Sequence, residues 1–341
     1  MSDLVAMADS KTERLWDELT LGYTDSLGHP LLRSGIAEMY DSVNEAHIVV
    51  VVPEEGIFLL MNALLEPADH VVCAFPAYQS LYEIARSIGC EVSLWEPSEE
   101  KGWRFDVSDL EAQVRPNTKL AVINFPHNPT GYLPSKEEFE ALIDLARDHD
   151  IYLLSDEMYR SLEHRGGTTL PSACDLYERA FSLSGLSKAY GLPGLRIGWL
   201  ASQDSQILKK VQKLKDYTTI CGSAPSEILA IIALDNRETI LKHQIARLQR
   251  NLGILEGFFD RYRDLFRWNK PLGGSVCFPR VVFVPDTFPF CERLREETGI
   301  MLLPSREFQF GNHHVRIGFG RENLPAVVEI LAAYLDQQFN G

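Results

Sequence analysis

From residue 48 to about residue 200, short β-rich apolar runs alternate with amphipathic helical stretches, and no other feature limits the fold so strongly. IVVVV (48–52) precedes a helical pattern from Glu54 to Leu65, HVVCA (70–74) precedes YQSLYEIARSIG, and KLAVIN (119–124) comes before a helix from Lys136 to Asp148. IYLLSD (151–156), AFSLS (180–184) and RIGWLA (196–201) complete the set. Strands that are apolar throughout are buried on both faces, and helices between them imply a mostly parallel sheet covered on both sides, an α/β fold. After about residue 204 the chain turns largely helical, with a long stretch near 238–263. Short strands (275–284 and 313–319) then mix with helices (287–298 and 322–339), which reads as a smaller α+β domain. The expected organisation is an N-terminal arm over 1–40, a large domain over 41–235 and a small C-terminal domain over 236–341.

Composition narrows the function classes. A net charge of −15 disfavours nucleic acid, because phosphate neutralisation needs a surplus of Lys and Arg. The six cysteines (73, 90, 174, 221, 277, 291) contain no CxxC pair, so metal-site spacing is absent and thiols in a reducing compartment are expected. The N-terminus is charged too early for a signal peptide, and no apolar run approaches the ~18 residues of a membrane span. The expectation is a cytoplasmic enzyme with small-molecule partners and no metal.

In an open α/β sheet the ligand sits beyond the carboxyl ends of the strands, and that is where the unusual residues fall. NFPHNPTG (124–131) is a rigid turn after KLAVIN; taken alone it is only a turn. SDEMY (155–159) puts Asp156 at the end of an apolar strand, where a carboxylate needs a partner, or else caps the next helix. SLSGLSKAYGLPGLRIG sets Lys188 among small residues and Arg196 after a Pro-Gly turn. An apolar pocket depresses a lysine pKa and frees the amine to attack a carbonyl, and a guanidinium offers a planar fork to phosphate. HHVRIGFG (313–320) places Arg316 inside an apolar strand, which is costly without an anionic partner, either an internal carboxylate or a substrate's.

Asn128, Asp156, Lys188 and Arg196 occur in this order with gaps of 28, 32 and 8 residues. Together the four segments resemble the fold type I pyridoxal-phosphate enzymes, specifically the class I/II aminotransferases, from about Gly22 to the C-terminus. The resemblance implies a mostly parallel seven-stranded sheet between helices in the large domain, and pyridoxal 5′-phosphate as cofactor. It implies a Schiff base on Lys188, which then shuttles a proton as general base and acid, and Asp156 against the pyridine nitrogen. It further implies Asn128 and Tyr159 at the ring's phenolic oxygen, Tyr78 stacked on the ring, Ser187 and Arg196 at the phosphate, and Arg316, with Asn128, at the substrate carboxylate. Tyr23 matches a tyrosine that reaches the neighbouring subunit's phosphate, which implies a homodimer with shared sites.

Two departures stand out. Where relatives carry a Gly-Ala type pair whose amides cradle phosphate, this chain has Val52 and Pro53, and proline has no N–H. The amides of Glu54 and Glu55 are then expected to take that duty, with their side chains pointing elsewhere. Relatives also have a further segment ahead of the position of Met1 that lines and gates the pocket; here either the start is truncated or the pocket is more open. The reaction expected is transfer of an amino group from an L-amino acid to a 2-oxo acid. The alternative is a lyase, cyclase or oxidase on the same fold: KDYTTICGSAPSE (215–227) and GHPLLR, with His29 as an extra base or a plain loop histidine, resemble a guanidino-amino-acid branch. A ligand-sensing transcription regulator would need an additional helix-turn-helix module.

Overall fold

The computed structural model describes residues 1–164 and 169–339. Seven strands form the central sheet: β1 (Ile48–Val51), β2 (His70–Ala74), β3 (Glu91–Trp95), β4 (Thr118–Asn124), β5 (Tyr152–Asp156), β6 (Ala180–Gly185) and β7 (Gly198–Ala201). Their order across the sheet is β1-β7-β6-β5-β4-β2-β3. All neighbours run parallel except β7, which is antiparallel to both β1 and β6. The mostly parallel seven-stranded sheet that the family resemblance implies is therefore present; the six apolar runs read from the sequence are six of its strands, and the edge strand β3 is the seventh.

Alternate residues of each strand feed two apolar layers, as the period of two requires. Val71, Cys73, Leu120, Val122 and Leu154 pack with the helices Pro53–Leu64 and Ser80–Ile88 on one face. Val72, Ala74, Ala121, Ile123 and Leu153 pack with the helix Lys136–Asp148 on the other. That last helix starts where the sequence places it because Ser135 and Glu138 form a reciprocal capping box. The small C-terminal sheet joins Leu303–Pro304, Val315–Gly318 and Val276–Cys277.

The first forty residues are packed rather than extended. Leu32 and Ile36, in the helix Pro30–Ala37, are fully buried in one cluster with the helix Ala224–Asp235 and with apolar side chains of the long helix Arg237–Arg261 and the C-terminal segments. The pattern PLLRSGIA is short, and its partner lies some 190 residues away in the chain, so the sequence carries little sign of the contact. No helix is long and apolar enough to cross a membrane, among the described residues.

Two facing glycines fix where the first large helix begins. Gly185 of β6 pairs with Gly198 of β7. A Cβ on Gly198 would lie 2.6 Å from both Pro53 Cγ and the Ser184 carbonyl oxygen. The glycines thus open the floor on which Pro53 seats. Gly198→Val is expected to lower stability by roughly 1–3 kcal/mol through overpacking against backbone that cannot yield. A denaturant midpoint unchanged from the parent would show that the floor can give way.

Candidate active site

The carboxyl ends of β4, β5 and β6 open on a cavity of about 240 Å³. The sequence-predicted residues Glu54, Tyr78, Asn128, Asp156, Tyr159, Ser187, Lys188, Arg196 and Arg316 all line it. Glu55 and Tyr23 do not. Glu55 turns away and accepts hydrogen bonds from Thr218 (2.5 Å) and Thr219 (2.8 Å). Tyr23 is 89% exposed. His29 is also outside the cavity: its Nδ1 accepts the Leu31 amide and so caps the helix Pro30–Ala37.

Asp156 is the last residue of β5. Its Oδ1 accepts the Met158 amide at 3.1 Å. Burial nonetheless pushes its carboxyl up to about 7; the Met158 hydrogen bond and Lys188 oppose that rise, and Glu157 and Glu54 add to it. The carboxyl opens onto the cavity but is otherwise surrounded by protein. A cation placed against it would restore ionisation.

Lys188 follows β6 through the small residues Gly185 and Ser187, which leave its amine accessible from the cavity. Burial lowers its pKa, and the guanidinium groups of Arg316 and Arg196 lower it further against the pull of Asp156. Its Nζ lies 6.0 Å from the centre of the Tyr159 ring. An amine with this bias is more often neutral at pH 7 than a surface lysine, which is what a nucleophile or a proton acceptor needs.

Asn128 is held by a residue that the sequence reading did not single out. Asn124, the last residue of β4, is buried. Its Nδ2 donates to the Asp156 carbonyl at 3.0 Å, and its Oδ1 accepts the Asn128 amide at 2.8 Å. One side chain therefore ties the ends of two strands to the turn. The available signal was the first asparagine of NFPHNPTG, five residues after the start of an apolar strand. Below it, the buried His127 ring is hydrogen-bonded to Thr130 at 2.7 Å, and burial lowers its pKa to about 3, so it is neutral and structural. Asn128 Oδ1 in turn accepts from Arg316 Nη1 at 3.3 Å, which links the turn after β4 to the strand Val315–Gly318.

Arg196 sits in the left-handed region (φ 56°), at the end of the Pro193–Leu195 turn. This strained position aims the guanidinium back at the cavity, where its only hydrogen bond among the described residues is to the Pro193 carbonyl at 3.3 Å. Ser187 Oγ is buried and without a partner among the described residues. An unsatisfied buried hydroxyl beside a guanidinium and a helix N-terminus is a set of donors that fits an anion. With the raised Asp156 and the lowered Lys188, these residues fit pyridoxal phosphate: donors for its phosphate, an acid for its ring nitrogen and an amine for its aldehyde.

The comparisons with known proteins agree with this geometry. The family of class I and II aminotransferases matches residues 6–331. Capreomycidine synthase of Streptomyces vinaceus is 32% identical over 306 residues, covering 89% of this chain and 77% of that protein. A pyridoxal-phosphate-dependent aminotransferase from Streptococcus suis superposes with a TM-score of 0.91 at 32% identity, over 98% of this chain and 90% of that one. A solved pyridoxal-phosphate-dependent cyclase, OrfR, gives a TM-score of 0.89 at 28% identity, over 98% and 89% of the two chains. The chain belongs to the class I and II aminotransferase family. Its fold is that of the type I pyridoxal-phosphate enzymes, and its cofactor is pyridoxal 5′-phosphate.

Proposed function

We propose that the protein transfers the amino group of an L-amino acid to a 2-oxo acid, with Lys188 as the residue that carries the cofactor and moves the proton. The single observation behind this reading is that Lys188, Asp156, Asn128 and Arg316 share one cavity at the strand ends. The bound cofactor supplies an electron sink for charge developing at the substrate Cα. Each residue then has a duty set by its own surroundings. Lys188, with its lowered pKa, holds the aldehyde carbon and, once released, accepts and returns the Cα proton. Asp156 gives up its own proton and holds one on the ring nitrogen, relieving the burial of its carboxyl. Asn128, fixed by Asn124, and Tyr159 donate to the phenolic oxygen. Tyr78, half exposed at the cavity wall, covers one face of the ring. Arg196, Ser187 and the first-turn amides of Glu54 and Glu55 hold the phosphate. Arg316 takes the substrate carboxylate, and its hydrogen bond to Asn128 sets its orientation.

We further propose that residues 41–235 and 236–341 act as two domains, with 1–40 closing over both, and that two copies share their sites. The exposed Tyr23 supports the shared arrangement, since it reaches nothing in its own cavity. A second reading is ring closure, elimination or oxidation of a guanidino amino acid on the same fold, and the similarity to capreomycidine synthase and the cyclase OrfR favours ring closure among these.

One experiment separates the two. The holoenzyme is mixed with each amino acid in turn without an acceptor, and the cofactor spectrum is followed. Transfer predicts conversion to the pyridoxamine form and its reversal by a 2-oxo acid. A cyclised product, ammonia release or oxygen uptake, with no pyridoxamine form, would replace transfer by the second reading.

A further inference from the structure

Five charged residues line the cavity: Glu54, Asp156, Lys188, Arg196 and Arg316. The proposed function gives side-chain duties to four of them. It uses only the backbone amide of Glu54. The Glu54 carboxylate takes part in no ion pair and no side-chain hydrogen bond among the described residues, whereas its neighbour Glu55 is held by Thr218 and Thr219. Its charge reaches across the cavity, since it is among the groups that disfavour ionised Asp156.

The substrate has one part still unread. Arg316 is committed to the α-carboxylate and Lys188 to Cα, which leaves the side chain. Among the described residues, no cation of the cavity lining is left for a distal carboxylate once the proposed function assigns Arg196 to the phosphate. The one unassigned charge is negative. We propose that Glu54 reads the side chain of the donor and selects an amino acid whose side chain ends in a cation, an ammonium or a guanidinium. This rests on the reading of the cavity as an amino-acid site; it does not depend on which bond at Cα is broken. Glu54 is exposed at the edge of the cavity; a cofactor and substrate that fill the cavity would cover it, so that opposite charges meeting there attract more strongly than at an open surface, and the same carboxylate repels an acidic side chain.

The competing role for Glu54 is purely local. An acid in the first turn complements the positive end of the helix Pro53–Leu64 and needs no ligand. Arginine and citrulline distinguish the two roles, being alike in length and shape and different by one charge. Their 2-methyl analogues, which have no Cα proton to lose, give the binding constants to the holoenzyme, and the natural pair gives kcat/KM in single turnover. The parent enzyme is expected to favour the cationic member by at least about tenfold in both measurements, the effect of one charge-assisted contact. Glu54→Gln should bring the ratio to within about threefold, and Glu54→Asp should restore part of it. No preference in the parent, or a preference that survives Glu54→Gln, overturns the proposal. Failure of the transfer reading shows separately, as the absence of the pyridoxamine form with every amino acid, while the ratio of binding constants is still read.

Discussion

Lys188→Ala is expected to abolish covalent attachment of the cofactor and to lower kcat/KM for amino transfer by roughly 10⁴-fold or more, because on the proposed reading one side chain supplies both the nucleophile and the proton carrier. The surroundings of Lys188 explain why no other residue substitutes. Among the described residues, Arg316 and Arg196 are the other cations lining the cavity, and a delocalised guanidinium offers no lone pair to an aldehyde carbon. Asp156 is oriented by the Met158 amide, and on the proposed reading it is held to the ring nitrogen. Small primary amines added to the solution should recover a fraction of the proton-transfer rate in Lys188→Ala. A variant damaged only in its packing would not respond to them. Retention of more than about a hundredth of the parent rate would show that the proton travels by another route.

Asp156→Asn is the second large effect, and it has opposite signs in stability and in activity. In the cofactor-free protein the Asp156 pKa is raised to about 7 from an ordinary value of 3.8. A raised acid binds its proton more tightly folded than unfolded. Its contribution to stability therefore falls as pH rises from about 4 to about 7 and stays low above that. The cost at pH 8 is on the order of 1–3 kcal/mol, kept to the low side because the carboxyl opens onto the cavity. Asparagine removes the charge and keeps an oxygen for the Met158 amide. The apo variant should thus be more stable than the apo parent at pH 8 and nearly equal to it at pH 4. The same change removes the acid from the ring nitrogen and should cost roughly 10²–10³-fold in kcat. Equal apo stabilities at pH 8 would mean that Asp156 is better solvated than its position indicates. An unchanged kcat would remove it from the chemistry.

Much of the large domain was legible because its signals are local. Six of the seven strands are apolar runs that lie within two residues of where the sequence places them, and helix 136–148 matches its expected range, as does helix 287–298 nearer the C-terminus; β3 (Glu91–Trp95), an edge strand interrupted by Glu91 and Ser93, carries no such run and was missed. The cavity was legible for the same reason. Parallel strands deliver their carboxyl ends to one edge, so residues at those ends meet whatever their separation in the chain. What stayed hidden depends on contacts between distant segments. Nothing local shows that Leu32 and Ile36, within the segment expected as an arm, are buried against the helix Ala224–Asp235. Glu54 and Glu55 are identical and adjacent, and nothing local separates them; Thr218 and Thr219 do, by taking one and leaving the other to the cavity. Val52-Pro53 looked like a defect in a phosphate cradle. The structure shows Pro53 seated on Gly185 and Gly198, which places the start of its helix against the cavity floor.

The most direct test of the central claim is borohydride reduction of the purified protein loaded with pyridoxal phosphate, followed by peptide mapping of the adduct. A single pyridoxyl adduct on Lys188, absent from Lys188→Ala, is the predicted result. An adduct on another lysine, or none on a protein that binds the cofactor, would contradict it.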